Sequence, residues 1–216
     1  FFTQKVFHSI SNKDNPVHET ERNLMLVRDI TDSLMTRPKL YPAQKDYSKV
    51  KTVSEYICIA PASIWYTKQF PAGKWIELIE RLDKKFMVFL IGSKEDRLLC
   101  REIREKTTRN NIKIVAGDLS FLEAAALMSN ATMSFVNDSA PLHLASAVNA
   151  PVTGIFCSTI PEFGFGPLSD ISHVIETDEK LPCRPCGLHG KKRCPEKHFK
   201  CADINISRIL STAGLD

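Results

Sequence analysis

What most constrains the fold of this chain is a rhythm that begins near Val53. Short apolar runs of strand length alternate with segments whose apolar residues recur at helical spacing. That alternation is the pattern of βα units, which build a parallel sheet with helices packed on its faces. Tyr56-Ile-Cys-Ile-Ala60 stops at Pro61, and Trp75, Ile76, Leu78, Ile79 and Leu82 then share one helical face. Phe86 to Ile91 gives a second strand, after which Ser93 with Asp96 predicts an N-cap opening a charged helix through Arg104. Asn111 to Val115 gives a third, and Ser120 with Glu123 forms a capping-box pattern before a helix through Met128. Thr132 to Val136 runs directly into Asn137-Asp138-Ser139 and a helix from Pro141 to Val148, where proline in the first turn sacrifices an N–H that helices leave unpaired anyway. Pro151 to Phe156 and His173 to Glu176 supply two more strands. The expected class is α/β with a Rossmann-like parallel sheet.

The first fifty residues differ in character. They are polar and broken by Pro16, Pro38 and Pro42, with one helix-like stretch from His18 to Leu34 carrying Leu24, Val27, Ile30 and Leu34 at helical spacing. We expect residues 1–50 to be the tail of a preceding domain with a linker, and residues 51–216 to be the body. Phe1-Phe2-Thr3-Gln4-Lys5 has neither the apolar length nor the cleavage pattern of a signal peptide, so the chain reads as beginning partway through something larger. No segment approaches the roughly 18 uninterrupted apolar residues a spanning helix needs. The net charge of +4 is interspersed with acidic residues, so no long basic stripe points to a nucleic-acid duplex.

Of seven cysteines, Cys58, Cys100 and Cys157 sit in apolar segments and read as core residues. The other four, Cys183, Cys186, Cys194 and Cys201, crowd into nineteen positions, which favours one local site in a reducing compartment over a secreted disulfide framework. Four thiolates satisfy a tetrahedral structural zinc site, with His189 and His198 as spare ligands. Free thiols or a disulfide in a surface loop are the alternatives. Arg184, Lys191, Lys192, Arg193, Lys197 and Lys200 surround this segment as the one concentrated basic patch, either simply solvated or facing an acidic glycolipid or membrane surface.

Ligands of open parallel sheets bind beyond the carboxyl ends of the strands. At the fourth such end, the helix opening at Pro141, the Ser139 hydroxyl and His143 favour a phosphate, and Asp138 is suited to sugar hydroxyls. Asn137, Asp138 and Ser139 are equally ordinary helix caps, and the bare residues leave both readings open. The loop from Ala62 to Pro71 offers Thr67 and Lys68, an ammonium that either meets a diphosphate or is solvated. Cys157 to Pro167, with Ser158 and Thr159, has the small residues of a ligand-closing segment or of a long connection.

Three of these stretches in order carry a resemblance. Asn137-Asp-Ser-Ala-Pro-Leu-His-Leu-Ala145 with Pro151-Val-Thr-Gly-Ile-Phe156 and the Ser158-Thr159 loop, Ala60 to Pro71 with its Thr-Lys, and His18-Glu-Thr-Glu-Arg22 together resemble the heptosyltransferases of glycosyltransferase family 9, mainly their C-terminal half. The resemblance implies a GT-B arrangement in which residues 1–50 are the remnant of an N-terminal acceptor domain and residues 51–216 are the donor domain, with a Cys-rich segment at 183–201. It implies transfer of heptose from ADP-heptose to the lipopolysaccharide inner core with inversion, on a lipid A/Kdo-type glycolipid acceptor. It also implies a cytoplasmic location, with peripheral association at the inner face of the inner membrane. By position, Thr67 and Lys68 would meet the diphosphate or the sugar, Asp138 the heptose, and Ser139, Ala140, Leu142 and His143 the phosphates. The family's usual glycine is Ala140 here, which fits only if its φ is negative. The catalytic base of the family lies in the N-terminal domain, so this fragment is expected to bind donor and to transfer sugar poorly. No cofactor is expected for transfer, and zinc would be structural. Two other readings are a GT-B-like epimerase or different glycosyltransferase, and a zinc knuckle contacting nucleic acid on an α/β scaffold.

Overall fold

The structure is a computed structural model that describes residues 5–7, 10–32, 34–50 and 54–215. Its centre is a six-stranded, all-parallel sheet in the order β3-β2-β1-β4-β5-β6, comprising β1 (Tyr56–Ala60), β2 (Met87–Leu90), β3 (Ile112–Ile114), β4 (Met133–Asn137), β5 (Val152–Phe156) and β6 (Ser172–Glu176). This order reverses direction between β1 and β4, the topological switch beside which open parallel sheets place their ligands. The Rossmann-like parallel sheet expected from the βα rhythm is therefore present.

Period-two alternation sorts β1 between two helical layers. Ile57 and Ile59 enter one core with Phe70, Trp75, Leu78 and Ile103, beneath α3 (Ala72–Arg81), α4 (Arg97–Lys106) and α7 (Ile206–Thr212). Tyr56, Cys58 and Ala60 enter the other with Leu127, Met128, Leu142 and Ala145, beneath α2 (Gln44–Lys49), α5 (Phe121–Ser129) and α6 (Ala140–Ala147). Both faces of β1, β4 and β5 are buried, which is why those strands read as apolar runs without alternation. Cys58, Cys100 and Cys157 are fully buried, and burial raises all three thiols, Cys100 to about 12, so they behave as small hydrophobes.

The capping box at Ser120 and Glu123 forms as the sequence predicts. Ser93 does not cap α4: the Asp96 carboxylate accepts the Ser93 N–H at 2.7 Å and closes a separate turn, so the helix starts at Arg97. The stretch from His18 to Leu34 is not one helix. It divides into α1 (Glu19–Met25) and a 3-10 turn at Arg28–Ile30, with Leu26, Ile30 and Leu34 exposed. Without an apolar face to pack on, propagation past Met25 gains nothing to offset its entropy. The N-terminal residues are also more than a linker. Leu40 N–H donates to Ala147 O at 3.0 Å, and α2 packs on α5. The expected division between residues 50 and 51 falls against Lys51–Val53, outside the described residues.

Candidate functional site

The carboxyl ends of β1, β4 and β5 converge where the sheet reverses, and their loops carry the polar residues. Asn137, the last residue of β4, is fully buried. Its Oδ1 accepts the Phe70 N–H at 2.9 Å, and its Nδ2 donates to Pro61 O at 2.9 Å and Ala62 O at 3.2 Å. One amide thus closes the β1 loop over the sheet, satisfying backbone groups that water cannot reach.

With that loop fixed, Lys68 reaches Asp138 across the switch point. Its Nζ lies 2.7 Å from Asp138 Oδ2, in a pair whose side chains are 14% and 7% exposed. The Thr159 hydroxyl donates to the same Oδ2 at 2.6 Å. Thr67, one residue earlier, is buried, and its hydroxyl accepts from Ser158 Oγ at 3.0 Å and from Lys191 N–H at 2.7 Å. Thr67 therefore ties three segments together, while Lys68 carries the charge.

The remaining residues of the corner divide by exposure. Ser139 precedes α6 and donates its hydroxyl to Asn137 O at 3.3 Å, making no side-chain cap. Ala140 is exposed at the first helical position and lies outside the left-handed region, where the non-glycine residues are Asn149, Lys197 and Phe199 among those described. Its methyl is thus compatible with the local backbone. Leu142 points away from the corner into the core, its side chain against Gly154, where an added Cβ would lie 3.1 Å from Leu142 Cδ1. Only its backbone remains near the strand end. His143 is exposed on α6 and meets Phe165 edge to face at 6.3 Å. The protein around its ring lowers its pKa, opposed by Asp138 and reinforced by His18 and Lys68.

The segment after β5 is not an open loop. Cys157 to Ile160 are buried, a 3-10 turn follows at Pro161–Phe163, and the N-terminal residues dock on its far end. Ser11 Oγ donates to Glu162 O at 2.6 Å, Glu19 N–H to Gly164 O at 2.9 Å, and His18 Nε2 lies 3.1 Å from Gly166 O. Gly164 has φ of 97°, and a Cβ there would lie 2.5 Å from Val17 O, so the close approach requires glycine. Sequence reasoning missed this docking, although His18 and Arg22 stand inside one of the stretches that carried the resemblance.

It missed the cysteine segment's place too. Residues 183–201 form a strap against the same corner: Thr67 N–H donates to Lys191 O at 3.1 Å, and a Cβ on Gly190 would lie 2.9 Å from Lys68 Cγ. Cys201 is buried, while Cys183, Cys186 and Cys194 are partly exposed. Burial raises the Cys201 thiol to about 11, with Cys186, Cys194 and Cys183 adding to the rise, so the four lie within electrostatic reach of one another. Cys183 Sγ is 3.9 Å from His198 Nε2. Among the described residues, no three His, Cys, Asp or Glu side chains are arranged to hold a metal ion. The basic patch also loses a member: Arg184 turns inward to pair with Glu176, leaving Lys191, Lys192, Arg193, Lys197 and Lys200 exposed.

The sequence profile of glycosyltransferase family 9 (heptosyltransferase) matches residues 5–199. Lipooligosaccharide heptosyltransferase 2 of Haemophilus influenzae is 33% identical over 116 residues, covering 52% of this chain and 33% of its own length. Lipopolysaccharide heptosyltransferase 3 of Escherichia coli K12 is 28% identical over 158 residues, 67% of this chain and 46% of its own. Among solved structures, ADP-heptose LPS heptosyltransferase II of E. coli superposes with a TM-score of 0.69 at 23% identity, over 87% of this chain and 55% of that one, a likeness of fold. This chain thus spans about half the length of these relatives or less. The profile nonetheless runs through the N-terminal segment, the sheet and the strap alike, and the chain belongs to glycosyltransferase family 9, the heptosyltransferases.

Proposed function

We propose that this chain is the donor-binding, C-terminal half of a GT-B heptosyltransferase, with residues 1–50 as the end of the acceptor domain and residues 51–216 as the donor domain. The observation that carries the reading is the Lys68–Asp138 pair, 2.7 Å apart at the switch point of a parallel sheet. A diphosphate arriving there gains an ammonium that is already in place, and when Lys68 turns to it Asp138 is released to accept sugar hydroxyls. Ser139, Ala140 and His143 stand at the start of α6, an end that favours negative charge, with Leu142 contributing through its backbone. The donor is ADP-heptose and the acceptor a lipid A/Kdo-type glycolipid of the lipopolysaccharide inner core.

Inverting transfer requires a general base for the acceptor hydroxyl. We assign it to an N-terminal half of the kind that the longer relatives have room for, so this chain alone binds donor without turning over. The exposed Lys191, Lys192, Arg193 and Lys197 support peripheral association with the inner face of the inner membrane, in the cytoplasm, where the acceptor would be presented. Among the described residues no helix is long and apolar enough to cross a membrane. Transfer itself calls on no cofactor. Zinc would be structural, taken up only if Cys183, Cys186, Cys194 and Cys201 turn their thiols together, and what supports this is that the four lie near one another. Elemental analysis of protein purified without chelator tests it, and one zinc per chain is the expected result.

Calorimetric titration with ADP-heptose, a UDP-sugar and an oligonucleotide tests the main reading. Binding of ADP-heptose alone is expected. Preference for the UDP-sugar would favour a different GT-B enzyme, preference for the oligonucleotide would favour a zinc-knuckle module, and robust sugar transfer by this chain would overturn the assignment of the base.

A further inference from the structure

One arginine is built into the donor corner from behind. The Arg184 side chain is 11% exposed, and its guanidinium reaches from the strap to the turn after β5. Nε donates to Cys157 O at 2.7 Å, and Nη2 donates to Thr159 O at 2.6 Å and, more weakly, to Phe156 O at 3.2 Å. The Glu176 carboxylate, at the end of β6, pairs with the same Nη2 and so anchors the guanidinium beside the turn. Two residues along the strap, Cys186 N–H donates to Ser158 O at 2.8 Å. The carbonyls of Phe156, Cys157, Ser158 and Thr159 are therefore all taken up by one short stretch of strap. The turn is buried, so these acceptors have no water to fall back on.

A turn gripped by consecutive carbonyls has one shape, and this shape aims two hydroxyls: Ser158 Oγ at Thr67 and Thr159 Oγ1 at Asp138. We propose that Arg184 is a positioning residue of the donor site. By fixing the turn after β5 it holds the Thr159 hydroxyl on Asp138, and so aims the carboxylate that carries the Lys68 ammonium. The ligand-binding consequence rests on the donor reading proposed above; the geometric one does not. Charge alone is insufficient for this role, because a lysine has no planar fork to meet several carbonyls at once.

Arg109 provides an internal control. It is buried and gathers the carbonyls of Ile79, Leu82, Asp83 and Phe86, but at the amino end of β2, away from the corner. If gripping carbonyls serves only to hold the fold, losing either arginine should affect ligand binding alike.

The test uses the full chain and ADP as the probe. Arg184→Gln is expected to weaken ADP about ten-fold, the effect of one lost interaction of ~1.4 kcal/mol. Thr159→Val should weaken it to a similar extent, and the double variant should be no worse than either single one, since both act through Asp138. Arg109→Gln should lower the unfolding midpoint and leave ADP affinity unchanged. Arg184→Lys, the milder variant if Arg184→Gln fails to fold, should not restore binding. Multiplicative losses in the double variant, or full affinity in Arg184→Lys, would overturn the proposal. Amide exchange reads the geometry without a ligand: Arg184→Gln should speed exchange at Cys186 and Lys191 while the sheet amide of Asp138, bonded to Ile155 O, stays protected. Unchanged protection at Cys186 and Lys191 would overturn the proposal whatever ADP does. Failure of the unaltered chain to bind ADP would count against the donor reading instead, and exchange would still decide the role of Arg184.

Discussion

The two ends of the sheet solve the same problem with different chemistry. At the amino end, Arg109 and Asn111 satisfy the carbonyls of the α3–β2 connection, and among the described residues no carboxylate forms a salt bridge with Arg109. Burial lowers the Arg109 pKa, but a guanidinium stays protonated in proteins, so the site is a fixed cation closing a backbone. At the carboxyl end, Asn137 closes the β1 loop in the same way, but beside it a lysine and an aspartate face each other with a threonine hydroxyl on the carboxylate. A backbone-closing network has one state. A paired lysine can exchange its partner for an incoming anion, and the ligand site proposed at the carboxyl end rests on that difference.

The sharpest way to break this contrast is to remove the lysine. Lys68→Met strands Asp138 with only the Thr159 hydroxyl, and loss of one partner from a buried pair costs about 3–5 kcal/mol. Urea unfolding should show a loss at the lower end of that range, because the pair keeps some access to solvent. ADP binding should disappear with it. Retained ADP affinity would place the ligand elsewhere and remove the distinction between the two ends.

Arg109→Gln sharpens the same contrast from the other side. Several buried carbonyls lose their donor, at a cost of roughly 2–3 kcal/mol after partial replacement by the glutamine amide. The fall should appear in urea unfolding, with ADP affinity untouched. Asn137→Ala is expected to fall between the two ends in character. It orphans the Phe70 N–H and the Pro61 carbonyl, costing about 2 kcal/mol. Because the β1 loop carries Lys68, calorimetry should also show weaker ADP binding, though less than the complete loss expected for Lys68→Met.

How much of this was legible in the sequence follows the distance over which each feature is determined. The strands, the Ser120–Glu123 box and the proline-opened α6 depend on neighbours within a few residues, and each appears within about two residues of its expected place. The grouping of Lys68 with Asp138 required only the rule that parallel strands present their carboxyl ends together. The roles of Arg184, Lys191 and His18 were not legible, because their partners lie far along the chain and their sequence context is that of surface residues. Leu142 shows another limit: it stands inside a stretch that carried the resemblance, while its side chain serves the core, since helical spacing turns it inward beside Ala145. A motif names positions, and only packing says which of their side chains face outward.

His143 supplies the smallest and most selective test. Although the residue keeps contact with solvent, its pKa is lowered, first by the protein packed around part of the ring and then by His18 and Lys68, with Asp138 pulling the other way. The ring is therefore neutral at pH 7, and the unfolded chain, with an ordinary value near 6.5, takes up the proton first as pH falls. Between the folded value and about 6.5 the unfolded state binds more protons, so this residue makes stability rise with pH across that window. His143→Gln should remove that slope while changing stability at pH 7 by no more than about 0.5 kcal/mol. Below the window the imidazolium adds a charge at the start of α6. ADP affinity should then gain about three-fold over the glutamine variant, the scale of an exposed ion pair, ~0.6 kcal/mol. Comparing the two proteins at each pH cancels the titration of ADP itself. Parallel pH profiles would remove His143 from the ligand's surroundings and leave the carboxyl end defined by Lys68, Asp138 and Thr159 alone.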